Sequence, residues 1–263
     1  APDAPLLLFS ALFLLLFRRF LNDENFLNVL YLGLSMAGLV YSKYHGALLI
    51  ILVIISCPVL LKKPKFYASA LLALILFLPH VAWQLRNGFP SLQYHLIDRV
   101  SKPELSNVPE YILNQFIVHN PVLLAVALFL LFRTKATDRF EKTLRVIIAG
   151  TLLFFFISSF RYHVEPHWTA IISIPVILLL VNRSGEGWNR FRLLKNTALI
   201  AIPLILVARL ALIIDFLPLQ YLEREFHGTE KRMSRIREVA GDRPVVFTNS
   251  YQDPSQYTFH TGI

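Results

Sequence analysis

The sequence contains a single cysteine, Cys57, and this scarcity excludes both an intrachain disulfide and a CxxC redox or zinc motif. The chain also has no glycine-rich loop that could hold a nucleotide phosphate, and it has no nucleophile elbow. Chemistry that depends on any of these motifs therefore has no support in the sequence.

Charged residues are also scarce. They make up 16% of the 263 residues, whereas a soluble domain has about 25%. Hydrophobic residues reach 55%, 21 residues are Phe, and the mean hydropathy is +0.54, as in a membrane protein. The net charge of +9 does not indicate nucleic-acid binding, because the basic residues lie in short loops between apolar runs. There they set topology and contact anionic headgroups of membrane lipids.

Apolar segments alternate with short polar loops along most of the chain. The apolar segments are residues 4–17, 26–42, 46–61, 66–83, 121–132, 146–160, 168–182 and 196–217. A helix needs about 20 residues to cross a ~30 Å hydrocarbon core, and several segments are shorter. We predict an all-α membrane protein, a polytopic helical bundle of about eight spans within residues 1–218. Alternatively, one or two of the short segments are buried or re-entrant helices.

Lysine and arginine concentrate in every second loop between the apolar segments. The basic residues of these loops are Arg18, Arg19, Lys62, Lys63, Lys65, Arg133, Lys135, Arg139, Lys142, Arg145, Arg183, Arg190, Arg192 and Lys195. The positive-inside rule places such loops in the cytoplasm. The alternation then places Asp3, Lys43, the loop 84–120, the segment 161–168 and the tail 219–263 outside. This is the topology of a multi-pass protein of a plasma or bacterial inner membrane.

The polar tail, residues 219–263, has a different pattern. Residues 221–239 can form an amphipathic helix, and residues 244–251 alternate as in a β-strand. Asp253 and Pro254 suit the start of a further helix. We therefore predict the beginning of a small extracytoplasmic α/β domain that is truncated. Because the chain begins without Met or a signal peptide and stops abruptly, we interpret it as a fragment of a longer protein.

Two charged residues stand at the outer ends of predicted spans. Asp3 could bind a metal, accept a proton or contact a sugar, and the alternative is a helix N-cap. Lys43 runs against the positive-inside bias and suits a lipid phosphate. The alternative for Lys43 is a side chain that snorkels at a helix end. We assign the neighbouring Tyr44 to substrate contact.

The long outer loop, 84–120, indicates a second cationic site. His95 and Arg99 are four residues apart, so a helix on the membrane surface would bring both to one face. This pair suits a metal or a phosphate, since Arg binds phosphate in a bidentate manner. The alternative is a solvated amphipathic helix. We predict a second short helix in this loop at 109–118.

The segment 161–168 is dense in polar and aromatic side chains. Its two histidines and one glutamate could hold a divalent cation, but their spacing matches no metal motif. Its Tyr and Trp also suit the aromatic belt at a membrane interface. We favour substrate contact over metal binding here. The residues assigned to substrate contact are Arg161, His163, Glu165, His167 and Trp168.

Taken together and in this order, these motifs resemble the membrane glycosyltransferases of the GT-C class. They are most similar to the dolichyl-phosphate-mannose–protein mannosyltransferase-like family 39, which includes the bacterial aminoarabinose transferases that act on lipid A. The stretches that carry the resemblance are Pro2–Phe9, Ser42–Gly46, Tyr94–Arg99, Pro166–Trp168 and Thr248–Tyr251. Each stretch is short, but they follow the family's order and are spread over most of the chain.

The resemblance implies a polyprenyl-phosphate-linked sugar as donor, with transfer to a lipid, glycan or protein acceptor on the outer face. Asp3 matches an acidic residue of the active site in this family. Lys43 and Arg99 match residues that bind the carrier phosphate. His95 matches a residue that contacts a metal, so the one implied cofactor is a divalent cation. The family's first acidic motif would lie upstream of Ala1, and we therefore expect the isolated chain to be inactive.

The reaction that the resemblance implies is a single displacement at the anomeric carbon. Lys43 and Arg99 would stabilise the departing phosphate, while the upstream carboxylate would act as general base. A transporter or flippase of lipid-linked sugars is the rival interpretation, and a non-catalytic membrane subunit is the third. Few ionisable residues lie within the apolar segments, which disfavours a proton-driven transporter.

Overall fold

The computed structural model describes residues 3–93, 105–184, 188–214, 228–241, 243–248 and 252–262. Within these ranges the chain is helical and contains no strand. It forms two compact units, Ala1–Ala201 and Ile202–Ile263. The all-α membrane fold is therefore confirmed.

Each of the predicted apolar segments contains a helix. The first part of the chain forms α1 (Asp3–Asn22), α2 (Phe26–Ser42), α3 (His45–Ser56), a 3₁₀ helix (Pro58–Lys62), α4 (Pro64–Arg86) and the single turn α5 (Pro90–Gln93). The second part forms α6 (Asn107–His119), α7 (Pro121–Arg133), α8 (Arg139–Ser159), a 3₁₀ helix (Pro166–Ile172), α9 (Ser173–Ser184) and α10 (Trp188–Ile213). The tail forms α11 (Thr229–Ala240) and α12 (Gln252–Thr261). The short helix predicted at 109–118 is confirmed as α6.

Four helical stretches in the described ranges are long and apolar enough to cross a membrane. They are Asp3–Asn22, Pro64–Arg86, Pro166–Arg183 and Leu194–Ala211. Helices α6 and α7 would make a fifth span if they cross together, although they are bent by 104° at their junction. Helices α2 and α3 are apolar but shorter. The chain is thus a multi-pass membrane protein, and the count of about eight spans stays a prediction.

Local sequence explains where several helices begin and end. Asn25 caps α2, since its side-chain oxygen accepts a hydrogen bond from the Asn28 N–H at 2.9 Å. Helix α3 ends just before Pro58, which has no N–H to continue the helical ladder. For this reason the apolar segment 46–61 is divided into α3 and a 3₁₀ turn. Pro64 occupies the first turn of α4, where no N–H is needed.

Helix α2 packs between α1 and α4, while α8 packs against α3 and α9. Two glycines of α2 allow α1 and α4 to approach it closely. A Cβ on Gly33 would lie 2.8 Å from the Ser69 carbonyl oxygen of α4. A Cβ on Gly38 would lie 2.3 Å from the Phe9 ring of α1. Glycine at both positions therefore brings α2 into direct contact with its two neighbours, as is common between membrane helices.

A buried ionic cluster joins α7, α8 and α9. The Glu141 side chain is 0% exposed, and its Oε1 accepts hydrogen bonds from Arg145 Nη2 at 2.6 Å and Arg183 Nε at 2.7 Å. Its Oε2 accepts from Thr137 Oγ1 at 2.5 Å. Arg145 Nη1 also donates to the Leu130 carbonyl at 2.7 Å, near the end of α7. Charges this deeply buried are tolerated because each is paired and hydrogen-bonded.

The tail corrects one expectation. The strand predicted at 244–251 is not supported, because residues 244–248 are irregular and 249–251 lie outside the described residues. A β-strand needs a hydrogen-bonded neighbour, and the described part of the chain offers no other strand. The regular elements in the described part of the tail are therefore helices alone, rather than α/β. The predicted helices are confirmed as α11, in the described part of 221–239, and as α12.

Candidate functional site

Asp3 and Lys43 form an ion pair. Lys43 Nζ lies 2.8 Å from Asp3 Oδ1, and the two side chains are 16% and 28% exposed, respectively. Asp3 is the first residue of α1, and Lys43 directly follows the last residue of α2. The packing of α1 against α2 therefore brings together two site candidates that are 40 residues apart. This contact places a cation and a carboxylate together where α1 begins and α2 ends.

The turn between α2 and α3 determines where Lys43 is held. The Lys43 N–H donates to the Leu39 carbonyl at 3.2 Å, and the Gly46 N–H donates to the Lys43 carbonyl at 2.8 Å. A Cβ on Gly46 would lie 2.4 Å from the Leu39 carbonyl oxygen. Only glycine leaves enough room for the first turn of α3 to fold back so closely on the end of α2.

Tyr44 contacts a group of polar and aromatic side chains on α4. Its hydroxyl is 2.9 Å from His80 Nε2 and accepts a hydrogen bond from Gln84 Nε2 at 2.8 Å. The His80 ring is itself surrounded by the rings of Phe77 and Trp83, at centroid distances of 4.9 and 6.0 Å. His80 and Gln84 therefore join the neighbourhood of Lys43. Sequence reasoning noted His80 only as an ionisable residue within an apolar segment and did not place it at the site.

His45 links the Lys43 turn to the segment 161–168. Its ring centroid lies 5.1 Å from that of Trp168 and 5.2 Å from that of Phe155. Trp168 is only 6% exposed and belongs to a small buried apolar cluster. The 3₁₀ helix that carries it also packs against α1. No signal in the sequence pairs His45 with Trp168.

The remaining candidates in the segment 161–168 make different contacts. His163 Nδ1 lies 3.3 Å from Glu110 Oε2 of α6, and its Nε2 lies 4.0 Å from Glu165 Oε2. Arg161 and His167 are exposed. His163 is therefore paired with Glu110 of α6, which the sequence did not predict. The assignment of Arg161, His163, Glu165 and His167 to substrate contact stays a prediction.

His95 and Arg99 lie outside the described residues, so their assignment to a metal and to the donor phosphate also stays a prediction. Among the residues that the structure describes, no group of three or more His, Cys, Asp or Glu side chains could hold a metal ion. The described residues thus do not provide a metal centre by themselves, and the predicted divalent cation rests on His95.

Residues 1–83 match the model of the dolichyl-phosphate-mannose-protein mannosyltransferase family. This confirms the resemblance over roughly the first third of the chain. The matched part includes the Asp3–Lys43 pair, Tyr44, His45 and His80. The segment 161–168 lies beyond it. No curated protein and no solved structure matches the chain.

Proposed function

We propose that this chain acts in the transfer of a sugar from a polyprenyl-phosphate donor, with Lys43 as a ligand of the donor phosphate. The observation that carries the proposal is the Asp3–Lys43 ion pair, which lies within the part of the chain that matches a glycosyltransferase family. The uneven distribution of basic residues among the loops supports an outer-face location for this pair.

The geometry of the pair leaves Lys43 able to bind a phosphate. An ammonium group has three N–H donors, and the contact with Asp3 uses one of them. The other two can donate to phosphate oxygens while Asp3 keeps the side chain in place. Because Lys43 is largely shielded from water, its attraction for an anion is stronger than that of an exposed lysine.

The chemistry requires such a cation at the leaving group. The acceptor oxygen forms a bond to the anomeric carbon as the bond from that carbon to the carrier phosphate breaks. The phosphate leaves with the electron pair, so negative charge builds up on its oxygens. Lys43 stabilises this charge, and it therefore binds the transition state more tightly than the intact donor. The acceptor can be a lipid, a glycan or a protein.

Two lysines provide a matched comparison. Lys43 pairs with Asp3, and Lys63 pairs with Glu24 near the other end of α1 and α2. We expect Lys43→Met to weaken transition-state stabilisation by about 2–4 kcal/mol, as loss of one oxyanion donor does. Lys63→Met should leave transfer unchanged. The measurement is transfer of mannose from dolichyl-phosphate mannose by membranes that contain the protein in its natural length.

Binding of dolichyl phosphate, which carries no sugar, separates donor recognition from turnover. Lys43→Met should weaken this binding, whereas Lys63→Met should not. Equal effects of the two substitutions, on binding and on transfer, would overturn the phosphate assignment. A flippase would bind the same lipid but would leave the sugar attached to it.

A further inference from the structure

A chain of hydrogen bonds fixes the protonation of His119, the last residue of α6. Gln115 Nε2 donates to the Tyr111 carbonyl at 2.9 Å. Because a backbone carbonyl only accepts, the Gln115 nitrogen must face it, and the Gln115 oxygen then faces Thr169. Thr169 Oγ1 lies 2.7 Å from Gln115 Oε1, which also only accepts. The Thr169 hydroxyl also lies 3.3 Å from the Pro166 carbonyl, so its single proton is donated to one of these two acceptors, of which Gln115 is the nearer.

His119 must donate to Thr169 as a consequence. His119 Nε2 lies 3.1 Å from Thr169 Oγ1, whose own proton is already used. The contact is a hydrogen bond only if Nε2 carries a proton. In the neutral ring this leaves Nδ1 as a bare acceptor. Nδ1 is buried and has no hydrogen-bond partner among the residues that the structure describes, and His119 is 5% exposed.

The unpartnered nitrogen lies at a break between two helices. Helices α6 and α7 are bent by 104° at the junction that follows His119. The next residue, Asn120, has a φ of +61°, a strained value for a residue other than glycine. Its side chain caps α7 by accepting from the Val122 N–H at 3.0 Å and also donates to the Ala201 carbonyl at 3.1 Å.

Such a break is unusual in a membrane protein. Interrupted helices at membrane depth occur where they are buried in protein or line a polar site. Among the side-chain nitrogen and oxygen atoms of His119 and Asn120, only His119 Nδ1 has no hydrogen-bond partner in the described part of the chain. A buried acceptor without a donor is costly, and such groups are normally satisfied by protein, water or a ligand.

We propose that His119 Nδ1 accepts a hydrogen bond from an O–H group that binds at the junction of α6 and α7. The donor is either a carbohydrate hydroxyl or an ordered water, which present the same chemistry to the nitrogen. A metal cation fits less well, because the described residues contain no group of three or more His, Cys, Asp or Glu side chains that could hold one. The proposal does not need Lys43 as the phosphate ligand, but its carbohydrate alternative rests on the proposed sugar donor.

Nitrogen NMR of the chain with ¹⁵N-labelled histidine, in lipid nanodiscs, tests the proposal. The signals of His119 are identified by their loss in His119→Phe or, if that variant does not fold, in His119→Asn. We expect a protonated Nε2 and an unprotonated Nδ1 with the shift of a hydrogen-bonded acceptor. A protonated Nδ1 would overturn the proposal. So would an unprotonated Nδ1 that shows no hydrogen bond under any condition tested.

Two lipids distinguish the source of the O–H group. If the donor is a carbohydrate hydroxyl, dolichyl-phosphate mannose shifts the Nδ1 signal and dolichyl phosphate does not. If the donor is water, the acceptor shift is present without lipid and neither lipid changes it. A response to both lipids alike would contradict a site for an O–H group of either kind, because the shared part of the two lipids is the phosphate and the chain.

A pair of threonine variants tests the hydrogen-bond chain itself. Thr169→Val removes the acceptor of the Nε2 proton, so it should change the tautomer balance of His119. Thr151→Val is the matched control, since Thr151 Oγ1 is buried in α8 and has no hydrogen-bond partner among the described residues. It should leave His119 unchanged. An unaltered tautomer in Thr169→Val would show that Thr169 does not set it.

Discussion

Arg183 Nε donates to Glu141 Oε1 at 2.7 Å, across 42 residues of sequence, and joins the end of α9 to the start of α8. The same oxygen accepts from Arg145, so one carboxylate serves two guanidinium groups. Glu141 precedes the apolar stretch 146–160, in a loop region that basic residues assign to the cytoplasmic side. The site proposed for the donor phosphate uses none of these residues. This cluster therefore serves stability rather than chemistry.

Glu141→Gln should destabilise the bundle strongly. The substitution leaves Arg145 and Arg183 partly buried without an anion, and removal of one partner from a buried pair typically costs about 3–5 kcal/mol. Thermal unfolding in detergent measures the effect. The matched control is Glu24→Gln, because Glu24 is paired with Lys63 but is more exposed. That change should cost less than about 1 kcal/mol. Similar losses in both variants would contradict the assignment.

The same cluster predicts a pH dependence. Burial raises the pKa of Glu141, but hydrogen bonds from Thr137, Arg145 and Arg183 outweigh this and lower the pKa to about 2 from an ordinary value of 4.5. A depressed folded-state pKa contributes stability that is present above the unfolded value and is lost as the pH falls towards the folded value. The difference between these two pKa values corresponds to about 3 kcal/mol of stability. The difference in stability between the wild type and Glu141→Gln should therefore shrink between pH 5 and pH 3, and a constant difference would refute this.

The sequence predicted the helices well, because a membrane helix is specified by local apolarity. Residues 26–42 were predicted as a segment and form α2 with the same bounds. The predicted segment 46–61 is longer than the helix that it contains, because Pro58 has no N–H and α3 ends before it. The strand predicted at 244–251 was wrong for a different reason. Alternation of side chains is a local signal, but a strand also needs a neighbour that the local sequence does not specify.

The candidate site could be predicted only in part. Charge alternation placed Asp3 and Lys43 on one face, but their contact depends on how closely α1 and α2 pack. The distance between α1 and α2 is set where Gly38 packs against the Phe9 ring. The contact of the His45 ring with Trp168 likewise depends on tertiary packing, since α8 packs against both α3 and the 3₁₀ helix that carries Trp168. Such contacts join residues far apart in sequence, and a single sequence carries no direct signal for them.

Gly46→Ala should disturb the Lys43 turn. The added Cβ would meet the Leu39 carbonyl oxygen at 2.4 Å, and a backbone atom cannot move aside without opening the turn. We expect lower thermal stability and weaker binding of dolichyl phosphate. Gly150→Ala is the control, because its Cβ would meet only the end of the flexible Leu52 side chain. If Gly46→Ala binds the lipid as well as Gly150→Ala does, the turn does not position Lys43.

The orientation in the membrane can be tested by labelling single cysteines. With Cys57→Ala as background, Ser106→Cys should react with a membrane-impermeant maleimide in intact cells, because the loop 84–120 is assigned to the outer face. Ala136→Cys should react only after the cells are permeabilised. Both positions are exposed in the structure, so accessibility within the protein does not limit either reaction. Reaction at position 136 alone in intact cells would reverse the topology.

Asp3→Asn should separate binding of the donor from transfer. The carboxylate neutralises Lys43 and repels a phosphate that approaches it, so its loss should leave binding of dolichyl phosphate unchanged or tighter. Transfer of mannose should nevertheless fall, because the asparagine no longer holds the Lys43 ammonium in place through an ion pair. A substitution that lowers kcat without raising KM has removed an interaction that matters in the transition state. Asp23→Asn, just beyond the opposite end of α1, is the control and should alter neither quantity. Weaker binding of dolichyl phosphate in Asp3→Asn, with unchanged transfer, would contradict this prediction.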